Sequence, residues 1–86
     1  MEPTAIHVKP IQNYQLCVTF DNNETRLFDV KPYLNYEWYG ELSDVELFNT
    51  VHIAGLSVEW LNGQDIAPEC LYDDSVPIVE TDRNEE

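Results

Sequence analysis

The chain has 86 residues, 43% of them hydrophobic and 12% aromatic, enough for one domain with an ordinary core and not the composition of a disordered tract. Its 17 acidic side chains face 4 basic ones, a formal charge of −13. Lys9, Arg26, Lys31 and Arg83 are scattered, so no basic stripe exists to replace the counterions of a nucleic acid or to meet an anionic membrane surface. No apolar run approaches the ~18 residues that a membrane helix needs, and residues 1–8 lack the basic start and apolar stretch of a secretory signal, so a cytoplasmic location is expected.

Taken in chain order, residues 4–9 alternate, with Ile6 and Val8 on one face, and predict a first strand ended by Pro10. Residues 14–20 predict a second strand, with Tyr14, Leu16, Val18 and Phe20 on one face and Gln15, Cys17 and Thr19 on the other. Asp21-Asn22-Asn23-Glu24 is a turn by composition, and residues 25–30 return as a third strand with Phe28 and Val30 inward. Lys31-Pro32-Tyr33 breaks the strand and opens an aromatic segment closed by Gly40. Ser43-Asp44-Val45-Glu46 matches a capping box with Ser43 as N-cap, and predicts a helix of two to three turns with Val45, Phe48 and Val51 on its apolar face.

Residues 56–61 alternate again, with Leu56, Val58 and Trp60 on one face. Asn62-Gly63 predicts a type I′ turn, in which both central residues take positive φ, into a short returning strand over residues 64–67. Pro68 starts one helical turn, and residues 76–79 are apolar but carry Pro77. The expected fold is α+β: an antiparallel sheet of about five short strands, the second hairpin joining the same sheet as the first, with one main helix and a short C-terminal helical turn. Residues 1–79 form the domain, and residues 80–86 are an acidic tail expected to be disordered.

Two stretches carry a family resemblance. The first runs Tyr14-x-Leu16-x-Val18-x-Phe20-Asp21-Asn22 into Arg26-x-Phe28-Asp29-Val30-x-Pro32-Tyr33-Leu34. The second combines Leu42-x-Asp44 and Leu47-Phe48 with Val58-x-Trp60-x-Asn62-Gly63-x-Asp65-Ile66-Ala67-Pro68-Glu69-x-Leu71-Tyr72. From about Ile6 to Tyr72 the chain resembles the small bacterial family catalogued as domain of unknown function 2442 (DUF2442). The resemblance implies an α+β fold of the type named after the N-terminal domain of a Nitrosomonas protein, and no activity. Some members carry an added helix-turn-helix that implies transcriptional regulation. Others are single domains whose gene arrangement implies pairing with another small protein in toxin–antitoxin style. The residues beyond the resemblance are too few for the helix-turn-helix, and the charge independently speaks against DNA.

The candidate chemistry is sparse. Asp29, Asp65 and Glu69 form a possible carboxylate set for acid–base work, although Asp29 and Asp65 sit where turns need backbone acceptors. His7, His52, Cys17 and Cys70 total two histidines and two cysteines, but no two have the close spacing of zinc ligands, and two buried thiols are expected instead. His7 reads as a solvent-side residue and His52 as a cation at the end of the helix. Gly40, Gly55 and Gly63 are isolated and build no phosphate loop. No cofactor and no metal are therefore expected.

The surface feature that remains is Tyr33, Tyr36, Trp38 and Tyr39, which either cap the core or contact a partner. The expected function is a non-enzymatic protein-interaction module that binds a basic protein, the antitoxin-like or regulatory half of a two-gene pair. The alternatives are a small carboxylate-site enzyme or ligand-binding domain, and an acidic mimic of nucleic acid. Monomer and homodimer both stay open.

Overall fold

A computed structural model describes residues 3–78. The first half is a meander of β1 (Ala5–Ile11), β2 (Gln15–Phe20) and β3 (Thr25–Asp29). Two short 3₁₀-helices follow, Lys31–Asn35 and Glu37–Ser43, and then α1 (Val45–Phe48). A second hairpin, β4 (His52–Ala54) and β5 (Ser57–Glu59), precedes α2 (Pro68–Asp73) and β6 (Val76–Pro77). The main sheet is antiparallel throughout, in the order β1-β2-β3-β6. The class is α+β, with six strands among the described residues.

Leu16, Val18 and Phe20 of β2 alternate inward and are fully buried, as their spacing predicts. β1 departs from its simple pattern. Ala5 pairs with Phe20 and His7 with Thr19, so Ile6 is the extra residue of a β-bulge. The bulge turns Ile6 out to 45% exposure and puts Ala5, at 2%, into the core, opposite to the predicted face. Pro10 does not end the strand; it pairs with Leu16 on an edge strand, where proline is tolerated. Tyr14 lies in the turn between β1 and β2, with φ 58°, and not on the strand. Its ring still reaches the core edge-on against Phe48, at 5.3 Å, and its hydroxyl donates to the Ser43 carbonyl at 2.5 Å.

The helix after the capping box is a single turn. Asp44, not Ser43, is the N-cap, its carboxylate accepting from the Glu46 N–H at 3.0 Å. Ser43 Oγ instead donates to the Gly40 carbonyl at 2.8 Å and closes the preceding 3₁₀-helix. The run Thr50-Val51-His52-Ile53 is rich in β-branched residues and favours β4 over another helical turn. Thr50 fixes the exit, donating from Oγ1 to the Leu47 carbonyl at 2.7 Å and accepting the Leu61 N–H at 3.1 Å. Phe48 and Val51 are buried, but Val45 is exposed.

β4 and β5 turn through Gly55, at φ 58°, and form their own two-stranded sheet lying against β1, not an extension of the main sheet. Leu56 falls in this turn and is exposed, whereas Val58 and Trp60 are buried as predicted. At Asn62-Gly63 only the glycine takes positive φ, 91°. The Gly63 N–H bonds the Trp60 carbonyl and the Trp60 N–H bonds the Gln64 carbonyl, which makes a three-residue loop with a bulge in place of the two-residue turn. The returning segment contributes one bridge, Glu59 to Asp65.

Leu42, Phe48, Val51, Val58, Trp60, Ile66 and Leu71 cover the inward face of the sheet and join its side chains in one core cluster. Pro68 occupies the first turn of α2, as expected. β6 then pairs with β3 and shields its edge. The predicted acidic tail over residues 80–86, with Arg83, lies outside the described residues.

Candidate functional site

The aromatic segment begins where β3 stops. Lys31 donates its N–H to Asp29 Oδ1 at 3.0 Å, while its ammonium reaches the same carboxylate at 3.3 Å and the Asn13 carbonyl at 3.0 Å. Pro32 then presets the first 3₁₀ turn. Three successive bonds follow: Tyr33 N–H to Val30, Tyr36 N–H to Tyr33 and Tyr39 N–H to Tyr36, at 2.8–3.0 Å. Each spans three residues, so the tyrosines at 33, 36 and 39 recur on one side of the connector.

Their rings form a continuous chain outward from the core. Buried Phe28 meets Tyr33 at 5.6 Å, and Tyr33 meets Tyr39 at 5.2 Å and Tyr36 at 6.3 Å, the last two edge-on. Tyr36 stacks on Trp38 at 5.9 Å with 8° between the planes. The segment therefore divides by residue. Tyr33 and Tyr39 are half-buried and packed against the core, whereas Tyr36 and Trp38 are 54% and 66% exposed. The Tyr39 hydroxyl donates to the Asp65 carbonyl at 2.9 Å and ties the connector to the segment after the second hairpin. Glu41 accepts from Asn62 Nδ2 at 2.9 Å and adds a second tie. Burial, reinforced by Cys70 and Asp74, pushes the Tyr33 phenol up to about 12. Burial and then Asp65 raise Tyr39 in the same direction. Carboxylates thus border the half-buried side of the aromatic surface.

The other candidate residues are not gathered into a site. Asp29 is engaged by Lys31, as a strand-end acceptor. Asp65 and Glu69 are exposed, and Asp65 meets Tyr39 through its backbone. His7 is exposed on β1. His52 is exposed on β4, not at a helix end, with Nδ1 3.0 Å from the Thr50 carbonyl. Cys17 and Cys70 are free and half-buried, not fully buried as expected, because Cys17 lies on the outward face of β2 and Cys70 at the rim of the core on α2. No group of three or more His, Cys, Asp or Glu residues is placed to hold a metal among the described residues. An open groove of about 270 Å³ lies between the β1–β2 turn and α1, walled by Pro10, Ile11, Asn13, Tyr14, Val45 and Phe48. It carries no charged side chain, and Asp29, Asp65 and Glu69 are not part of it.

One functional cluster in the structural sense escaped the sequence reading. Arg26 donates to Ser75 Oγ at 2.6 Å, to the Ser75 carbonyl at 2.8 Å and to Glu24 at 2.9 Å, and its guanidinium lies 4.3 Å over the Tyr72 ring. The Tyr72 hydroxyl donates to the same Glu24 oxygen at 2.8 Å, and its ring meets Phe20 edge-on. That hydroxyl and then Arg26 hold the Glu24 carboxyl below its usual value. The clasp fastens the chain after α2 to β3. The available signal was parity: Arg26 shares the inward phase of Phe28 and Val30. With Arg26 and Lys31 engaged inside the chain, Lys9 is the one basic side chain among the described residues without a hydrogen bond or ion pair.

Among the described residues, no helix is long and apolar enough to cross a membrane. No curated protein and no solved structure matches the chain. The family model described as protein of unknown function (DUF2442) matches residues 5–77, the whole span from β1 to β6, and the chain belongs to that family.

Proposed function

We propose that the chain is a non-enzymatic protein-interaction module, the regulatory, antitoxin-like half of a two-gene pair, and that its partner is a basic protein. The supporting observation is the stacked pair Tyr36 and Trp38, more than half exposed yet fixed to the core through Tyr33. Rings held this way supply contact area at little entropic cost, which is why Tyr and Trp dominate binding hot spots. The formal charge of −13 supplies the attraction, since complementary fields speed and orient encounter.

The test is association with the product of the neighbouring gene. The rate of association should fall steeply as salt rises, and Tyr36→Ala with Trp38→Ala should release the partner while the fold is kept. An association rate unchanged from low to high salt would remove the electrostatic part of the proposal. Undiminished binding by the double variant would remove the aromatic part.

A further inference from the structure

The stacked pair also specifies which basic side chain it takes. We infer that Trp38, backed by Tyr36, is a stacking platform for an arginine of the basic partner, a reading that rests on the proposed function above. Tyr36 lies nearly parallel to the indole, with ring centroids 5.9 Å apart, and at 66% exposure much of the Trp38 surface is open to a partner. The face of an indole is the negative end of its quadrupole and attracts a cation placed over it. A guanidinium is planar and weakly hydrated, so it lies flat on such a face, whereas an ammonium keeps its water shell.

The charge around the platform suits the same guest. Glu37 stands between the two rings in sequence, is exposed and makes no hydrogen bond or ion pair among the described residues. A guanidinium over Trp38 leaves its N–H edge free to bond a carboxylate such as this one. Asp65 and Asp74 act electrostatically on the neighbouring Tyr39 and Tyr33, and add to the negative field on that side of the molecule. Among the described residues the one guanidinium, that of Arg26, is held over Tyr72 and is not free to occupy the platform.

The two indole N–H groups allow a direct test. Trp60 is fully buried and donates to the Phe48 carbonyl at 2.9 Å, so its resonance is an internal reference, while that of Trp38 reports the platform. The intact chain is titrated with three short Gly-Ser peptides identical except for arginine, lysine or citrulline. The arginine peptide should shift the Trp38 indole resonance saturably, leave Trp60 unmoved, and bind about two- to fivefold tighter than the lysine peptide. Citrulline, which keeps the shape and loses the charge, should bind far more weakly. Trp38→Ala should abolish the arginine preference with the Trp60 signal intact. Equal arginine and lysine affinities at Trp38 would overturn the arginine platform and leave the basic-partner reading standing. Binding that shifts other residues and not Trp38 would overturn the platform and the aromatic anchor together. The absence of binding by either basic peptide at low salt would overturn both readings.

Discussion

The two tryptophans are the same side chain in opposite settings. Trp60 is fully buried between the second hairpin and α1, 6.0 Å from Phe48, and its N–H is satisfied by a backbone carbonyl. Trp38 is two-thirds exposed and its one aromatic neighbour, Tyr36, is itself exposed. Hydrophobicity alone puts both inside. What separates them is the backbone beneath: a strand end with a covering helical turn in one case, a 3₁₀ connector on the rim in the other. Trp60 is explained by burial in the core, whereas two-thirds-exposed Trp38 is not and calls for another explanation.

The contrast breaks most readily at Trp60. Trp60→Ala should cost about 3–5 kcal/mol, much of the stability of so small a domain, and abolish a cooperative thermal transition. Trp60→Phe keeps the apolar body but leaves the Phe48 carbonyl unpaired, at about 1–3 kcal/mol, measurable as a lower urea midpoint with an unchanged slope.

Next comes the clasp. Arg26→Met should cost about 1–3 kcal/mol by stranding Ser75 and Glu24, read as a lowered melting temperature and faster amide exchange in β6. Its pH signature follows from Glu24. The Tyr72 hydroxyl, and then Arg26, lower its folded pKa, so its contribution is complete above the unfolded value of about 4.3 and is lost as pH falls through the folded one. The wild type should therefore lose stability over acidic pH relative to Glu24→Gln, in which that step is absent. At the alkaline end the sign reverses. Tyr33 is raised to about 12, so the stability tied to its neutral form is intact below pH ~10 and declines as pH rises toward that value. In an ultraviolet titration Tyr33→Phe should remove the latest-ionising phenol.

The smallest effect on folding sharpens the comparison most. Trp38→Phe should change stability by no more than about 0.5 kcal/mol. The remaining emission, from Trp60 alone, should be blue-shifted and resist acrylamide quenching. A large loss of stability instead would make Trp38 a structural residue and remove the reason to assign it a partner.

Several of these features were legible in the chain. The inward positions of β2 and of Phe28 and Val30, the turn at residues 21–24, Pro68 at the head of α2 and the buried Trp60 all follow from alternation, turn chemistry or capping, which act within a few residues. The aromatic segment was legible as a feature, and its tyrosines three apart carry the period of a 3₁₀-helix, although the division between core and surface was not. Other expectations depended on distant residues. The bulge at Ile6 is set by register against Phe20 and Thr19. The single-turn length of α1 is set by Thr50 and the strand that follows it. The second hairpin forms its own sheet because it packs across β1 and does not pair with an edge.

By itself, the sequence determined the α+β class, the alternating core of β2 and β3, and the excess of acid over base. Local patterning and summed charge do not depend on where the chain goes. Only the tertiary structure decided that Tyr36 and Trp38 are surface while Tyr33 and Tyr39 of the same segment pack on the core, that Arg26 is spent on a clasp, and that Asp29, Asp65 and Glu69 share no groove. Each of these depends on contacts between residues far apart along the chain, and burial at such a point is a property of the packed molecule rather than of the residue.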